Sequence, residues 1–579
     1  MCGIAGEVGR VSGGGRRRLR VGRMIESLAH RGPDEQTFWQ NNQEESSGIS
    51  VALGMCRLAI IDREDGHQPF GKKCKVFFNG EIYNHKAIRN NLREGCGVYC
   101  RTQCDSEVIA KLYEQDGEQF IYRLDGMFAI AVWDEGENRL KLFRDRIGKK
   151  PLYYYHGKNI FLFASEIKAI LDHPEYKKEI NVDALRTYIA LQYVPEPETA
   201  FVGIKQVKPG GSVEYDPETD RVIEYQYHKF APVNNPIPVT PGRVRAFVED
   251  AIRKRLESEV PLGVYLSGGI DSAIVTAVAA KRIKELHTFT MGFLESEFDE
   301  TSASRGVSAF YGTDHHEEKV TSINLANMAN EIVEQYDQPF GDCSAIPTML
   351  LARLSKKYIT VALSGDGGDE VFGGYPRYWM SQNQIERYWQ NMAVMPPGLL
   401  ESIWPDRERM AESENYINDY IEPKNPNGLM FCDMKTYLPN DIIVKMERAT
   451  MAASVEARCP FLDKKVIELG LSIPKEQKIN SNSGKLILKE AFRDVLPAGV
   501  TTLPKRGFGV PMDTWLAQSE GVLLMADTIL SKDSFAPMES KINRASVKMM
   551  VDEHLSRRHA HGHRLWILIM LEMWLRRNF

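Results

Sequence analysis

With 579 residues, 43% of them hydrophobic and 26% charged, the chain is too long for one ordinary core and has the balance of two sizeable globular domains. Its formal net charge of -5 supplies no overall electrostatic reason for a nucleic-acid or anionic-membrane partner, so small molecules are the expected ligands. Nine cysteines, an odd number at irregular spacing, suit a reducing compartment better than a disulfide framework and point to the cytoplasm.

The opening MCGIAGEVGR has no apolar core behind a basic leader and does not read as a secretory signal. The glycine-rich basic run at 13–23 lacks interleaved aromatics and is expected to be a solvated loop. Short β-rich runs at 76–78, 128–133, 140–143 and 160–163 alternate with turns and a few helical stretches, which predicts layered sheets with helices outside. Four prolines and two asparagines between 230 and 242 can hold neither a helix nor a central strand, and the interdomain linker is placed there. Beyond it the pattern becomes strand, turn, helix: a strand at 263–266, a loop at 267–272, a helix at 273–284, a strand at 287–292 and another at 359–363. Such alternation predicts a parallel sheet with crossover helices and ligands beyond the C-terminal ends of its strands. From about 380 the composition is helical, and the apolar run at 565–570, too short to span a bilayer, reads as a buried C-terminal helix.

Cys2 follows the initiator methionine. Removal of that methionine leaves a thiol and an α-amine of pKa near about 7.7–8.0 on one residue, a nucleophile carrying its own base. A cysteine at this position can also be accidental, and its neighbours decide. Arg57 offers a guanidinium for an α-carboxylate, Glu81 and Asp105 offer carboxylates for an α-ammonium, and the Asn79 amide with the Gly80 N–H can hold a tetrahedral oxyanion. Together these groups suit hydrolysis of glutamine.

The segments MCGI, HRGPD at 30–34, RLAIID at 57–62, FNGEIYN at 78–84, LDGMFAIAVWD at 124–134 and RDRIGKKPLYY at 144–154 resemble the class II glutamine amidotransferase domain. The resemblance implies an α+β N-terminal-nucleophile hydrolase with an αββα sandwich. In it Cys2 attacks the amide, Arg57 binds the glutamine carboxylate with backbone help from Ile60 and Ile61, Asn79 and Gly80 form the oxyanion hole, and Glu81 and Asp105 hold the ammonium. Cys96, Cys100 and Cys104 have no C-x-x-C pair or nearby histidine and are not read as a metal site, and His559, His561 and His563 are expected to cap or solvate a helix.

In the second half, LSGGIDS at 266–272 falls between a predicted strand and a predicted helix, where backbone N–H groups make an anion pocket. It lacks the G-K-[ST] of a Walker A loop and resembles the pyrophosphate-binding loop of ATP pyrophosphatases, an α/β parallel-sheet group that cleaves ATP to AMP. LSGDGGDEVFGGYPRY at 363–378 adds Ser364, Gly365, Asp366, Asp369 and Glu370, and Asp271 with Asp369 suits Mg2+ beside phosphate oxygens. With 446–463, 503–516 and 561–574 the likeness extends to the asparagine synthetase family. It implies that Leu266, Ser267, Gly268, Gly269, Asp271, Ser272, Met291, Ser364 and Gly365 bind ATP. It also implies that Lys505 neutralises phosphate charge and that Asp366 assists formation of the intermediate or ammonia attack. Many family members carry Glu where Asp366 stands.

The expected organisation is a glutaminase at 2–205, a linker region at 206–242 and an ATP-dependent synthetase with a helical C-terminal part at 243–579. The expected activity is glutamine-dependent amidation of a carboxylate through an acyl-adenylate, ammonia crossing an internal apolar tunnel. ATP is the co-substrate, aspartate the default acceptor, and a homodimer is compatible with the resemblance. The rivals are the same chemistry on a sugar, peptide or natural-product precursor, and a non-catalytic member of the family. An RNA-modifying pyrophosphatase is disfavoured by the acidic chain and the complete glutaminase set.

Overall fold

The computed structural model describes residues 2–10, 14–41, 48–320, 323–381, 388–405, 416–421, 427–502 and 507–579. The first half forms β1 (Gly3–Gly9), β2 (Glu35–Gln40), β3 (Ser50–Arg57), β4 (Cys74–Ile82), β5 (Gly126–Asp134), β6 (Arg139–Arg144), β7 (Tyr153–Gly157), β8 (Ile160–Ala164), β9 (Ile204–Gln206), β10 (Gly211–Asp216) and β11 (Arg221–Gln226). They make two antiparallel sheets, in the orders β2-β3-β1-β8-β7-β9 and β11-β10-β6-β5-β4. Strand alternation explains the layering. Ile4, Val8, Leu53, Phe77, Ala131 and Leu142 meet between the sheets. Val76, Phe78, Phe128 and Ile130 face away, onto helices His85–Cys96 and Asp105–Asp116. On the opposite side Ala5, Ala52 and Cys56 pack against Val21, Met24 and Ile25 of helix Gly14–Glu26. This is the expected αββα sandwich.

Two expectations need correction. The basic run at 13–23 is not a solvated loop: from residue 14 it belongs to helix Gly14–Glu26, and its Arg17 is buried against Glu7 of β1 at 3.0 Å. A buried carboxylate on the sheet gives the helix a tertiary partner that local charge pattern cannot show. The linker at 206–242 is also too long, because residues 211–226 form the β10–β11 hairpin that completes the second sheet. The connection free of strand and helix is 227–240. It ends where the Thr240 side chain accepts from the Arg243 N–H and Pro241 opens helix Pro241–Lys254, a capped start with proline in the first turn.

The second half builds a wholly parallel sheet from β12 (Leu262–Tyr265), β13 (His287–Phe293), β14 (Asp314–Val320), β15 (Val361–Leu363) and β16 (Glu456–Arg458), ordered β14-β13-β12-β15-β16. Helices Ile270–Ala280, Thr301–Tyr311 and Ala345–Lys356 lie in the crossovers and bury its apolar faces. The C-terminal helix Gly562–Asn578 is buried from Leu565 through Leu571, as expected, in a cluster that includes Tyr188, Ile189 and Phe201 of the first half. Tyr188 donates to the Ile567 carbonyl at 2.9 Å, so the two halves share a core. Among the described residues no helix is long and apolar enough to cross a membrane.

Candidate active sites

Cys2 immediately precedes β1, and the Gly3 to Cys56 pairing sets it beside Arg57 at the end of β3. The Cys2 backbone N–H donates to Asn79 Oδ1 at 3.0 Å. That bond fixes the amide with its other end free: Asn79 Nδ2 is buried and has no hydrogen-bond partner among the described residues. A buried donor left open is costly in a resting protein and is what a developing oxyanion needs. Gly80 follows at φ 154°, and a Cβ there would lie 2.0 Å from the Met127 carbonyl oxygen, so only glycine brings this backbone to the nucleophile.

Cys2, Arg57, Leu58, Ile60, Ile61, Gly80, Glu81 and Asp105 line one narrow cleft. Burial raises the Cys2 thiol above its ordinary value, opposed by a bond from the Leu58 N–H and the charge of Arg57. The Arg57 guanidinium donates to the carbonyls of Ile61 (3.3 Å), Asp62 (2.7 Å) and Arg63 (3.2 Å) and so shapes the loop that forms one wall. Burial also raises Glu81 and Asp105 above the usual carboxylate range, with their mutual repulsion adding to the rise at Glu81. Asp105 accepts from the Ile82 N–H at 3.0 Å, and Glu81 has Arg458 at 3.3 Å. A ligand ammonium placed between them would relieve the repulsion.

At the C-terminal ends of the parallel strands, Leu266–Ser272 runs from β12 into helix Ile270–Ala280, and Ser267 Oγ contacts Ser272 Oγ at 3.0 Å and accepts from the Gly269 N–H at 3.2 Å. The second loop interlocks with it: a Cβ on Gly365 or Gly368 would collide with the Asp271 side chain at 2.8 or 2.6 Å. Leu266 and Met291 are buried, and the Leu266 N–H donates to the Phe289 carbonyl at 2.9 Å. Ser364 Oγ donates to Asp366 at 2.7 Å, while burial, with repulsion from Asp369 and Asp271, raises the Asp366 carboxyl. Burial and the neighbouring Asp369 bring Glu370 up to about 7. Lys505 lies outside the described residues.

Residues 243–576 match the family model for asparagine synthase, and residues 1–228 match the glutamine amidotransferase domain. The chain belongs to the asparagine synthase family. It is 30% identical to asparagine synthetase [glutamine-hydrolyzing] 1 of Bacillus subtilis (strain 168), over 96% of this chain and 93% of that one. It is 31% identical to a putative asparagine synthetase [glutamine-hydrolyzing] of Mycobacterium tuberculosis (strain ATCC 25618 / H37Rv), over 99% and 97%. To asparagine synthetase [glutamine-hydrolyzing] 3 of Arabidopsis thaliana it is 32% identical, over 85% and 75%. The chain is a glutamine-dependent carbon–nitrogen ligase of this family.

Two residues of this asparagine synthase family member escaped the sequence reading. Lys485 Nζ pairs with both Asp271 and Asp369, the latter at 2.6 Å. It is a buried cation between the Ser267–Ser272 and Ser364–Glu370 loops, held at φ 56° just before helix Leu486–Ala491. Its sequence signal, a small-residue turn before an apolar helical run, is too weak to mark it. The other is Glu456, which reaches the glutaminase cleft from β16 and carries no local motif of its own.

Strand β16 joins the two sites. Glu456 and Arg458 alternate toward the cleft, where Arg458 Nε also bonds Glu456 at 2.7 Å. Cys459 lies on the other side, its Sγ 3.4 Å from Ser364 Oγ. At about 3.3 Å per residue the step from Glu456 to Cys459 is roughly 10 Å. The surroundings of this strand are charged rather than simply apolar: Arg31 pairs with Glu166 at 2.5 Å and with Glu447, and Arg448 with Glu166 at 2.8 Å.

Proposed function

We propose that the protein converts L-aspartate, L-glutamine, ATP and water to L-asparagine, L-glutamate, AMP and diphosphate. The observation that carries this reading is β16 with the residue that follows it: the strand presents Glu456 to the cleft of Cys2, and Cys459 just beyond it reaches Ser364, so that one site can feed the other.

In the cleft, Arg57 with the Ile60–Ile61 backbone takes the glutamine carboxylate, and Glu81 and Asp105 take its ammonium. With Met1 removed, the Cys2 thiol, deprotonated by the α-amine so freed, attacks the carboxamide carbon. Asn79 Nδ2 and the Gly80 N–H hold the oxyanion; ammonia departs with a proton from the amine, and water releases glutamate from the thioester. At the second site the nucleotide lies over Leu266, Ser267, Gly268, Gly269, Ser272, Met291, Ser364 and Gly365. The aspartate side-chain carboxylate displaces diphosphate from the α-phosphorus, and ammonia then displaces AMP from the acyl carbon.

Asp271 and Asp369 converge on a single point, now spanned by the Lys485 ammonium, and two carboxylates so placed fit Mg2+ bound with phosphate oxygens. The ion would neutralise charge on the departing diphosphate. Lys485 shares that task from its position, and Lys505 is a second cation for it by family likeness. Asp366, tied to Ser364, stands next to the acyl centre.

The test is steady-state product analysis with glutamine, ATP and a panel of carboxylates, using wild type and Cys2→Ala. Asparagine and AMP are expected from wild type, and Cys2→Ala should keep ammonia-driven synthesis while losing the glutamine-driven reaction. Amidation of another acid without asparagine refutes the aspartate assignment. Loss of both activities in a folded Cys2→Ala variant refutes the two-site reading.

A further inference from the structure

At the opposite end of the parallel sheet from the nucleotide loops, three potential metal ligands meet on one face. His287 opens β13 and Asp314 opens the neighbouring edge strand β14, directly paired in the parallel register. His316 is two residues beyond Asp314, so strand alternation returns it to the same face, while His315 points to the other and bonds Thr288 Oγ1 at 2.9 Å. His287 Nδ1 lies 3.1 Å from His316 Nε2 and 3.1 Å from Asp314 Oδ2, and His316 Nε2 lies 3.3 Å from the same oxygen.

Protons satisfy this triangle poorly. With Asp314 as carboxylate, a single proton on either ring leaves the other nitrogen's lone pair against the carboxylate. A proton on both nitrogens sets two donors against each other across 3.1 Å. A cation at the centre accepts from all three atoms at once. Zinc bonds of about 2.0–2.2 Å to nitrogen and oxygen give a tetrahedral edge of about 3.4 Å, close to the observed separations.

The surroundings favour order. The His316 ring stacks on Tyr358 with centroids 3.8 Å apart and on Phe289 at 5.0 Å, which fixes where Nε2 points. The Asp314 side chain is 59% exposed, leaving an open side for water ligands and for entry of an ion. We propose that His287, Asp314 and His316 form a peripheral site for a borderline divalent metal ion of the zinc class. It ties the edge strand β14 to β13 and has no part in catalysis. Two imidazoles and one carboxylate select such an ion over Mg2+ or Ca2+, which take mostly oxygen.

The full-length protein, stripped with chelator and exchanged into chelator-free buffer, is titrated with Zn2+ against a chromophoric competitor, and its thermal midpoint is followed with and without zinc. The wild type should take up one equivalent more than an Asp314→Asn, His316→Gln double variant and gain a zinc-dependent rise in midpoint that the variant lacks. His287→Asn, on the other strand, should bind at least about tenfold more weakly, since even outer-shell partners of a metal account for that much. Circular dichroism, undiminished glutaminase turnover and undiminished ammonia-driven synthesis in zinc-free buffer containing Mg2+ establish that the variants are folded. Equal stoichiometry and affinity in the wild type and either folded variant overturn the site, as does a wild type that takes up no zinc at micromolar concentration.

Discussion

Replacing Asn79 by alanine removes a side chain that acts at both ends: Oδ1 receives the Cys2 N–H at 3.0 Å, and Nδ2 is buried without a partner among the described residues. In the resting enzyme Nδ2 contributes nothing to binding, so its value appears only when charge develops on the substrate oxygen. Loss of one oxyanion donor costs about 2.7–4 kcal/mol, or about 10²–10³ in kcat. Asn79→Ala should lose that factor in glutamine hydrolysis with KM changed only slightly, and ammonia-driven synthesis should persist. Asn79→Asp separates the two ends, because it retains an acceptor for Cys2 and replaces the donor with an oxygen. Both variants are assayed for glutamate release over a range of glutamine. A kcat within about tenfold of wild type in Asn79→Asp would show that the side chain merely anchors Cys2, and the oxyanion assignment would be lost.

Lys485→Met should abolish ATP-dependent amidation and diphosphate release while glutaminase turnover continues; it also removes one buried ion-pair partner from Asp271 and Asp369, so calorimetry should show a drop in stability. Arg57→Lys should raise KM for glutamine by about tenfold or more, because charge-assisted bonds are worth about 1.5–3 kcal/mol and an ammonium cannot bridge a carboxylate as a guanidinium does; an unchanged KM would rule out its role in carboxylate binding. Glu7 gives an acid limb of stability. Burial would raise its pKa, but bonds from His173 and Arg20 and the charge of Arg17 bring it down to about 2, so its stabilisation is whole above its ordinary 4.5 and disappears as pH falls from there toward 2. That window is worth roughly 3 kcal/mol, and Glu7→Gln should flatten the acid side of a denaturation midpoint plotted against pH.

The groups nearest the chemistry were legible because each sits in a short run whose residue types announce a task. Cys2, Arg57, Asn79, Glu81 and Asp105 line or border one cleft, and the serine-glycine loops fall where strands end. Partners supplied from far along the chain were not legible. Arg458 meets Glu81 across 377 residues, and Lys485 meets Asp271 across 214, separations over which no local pattern carries information. The basic run misled for the same reason. Its arginines look solvated until β1 folds beside them and presents Glu7, a carboxylate inside a strand of otherwise small and apolar residues. The β10–β11 hairpin lies inside the expected linker region at 206–242, although the prolines that break regular structure begin only after it, at 232.

Strand β16 bears on how such enzymes can be cut and recombined. The proline-rich connection at 227–240 looks like a seam, yet in a glutaminase severed there Glu81 would lose Arg458 and Arg31 would lose Glu447. Its cleft would also open on the side that Glu456 closes. An isolated first half should therefore be less stable and hydrolyse glutamine poorly. A chimera that pairs it with a foreign synthetase should work only when the incoming sheet ends in a strand offering the same Glu-x-Arg spacing.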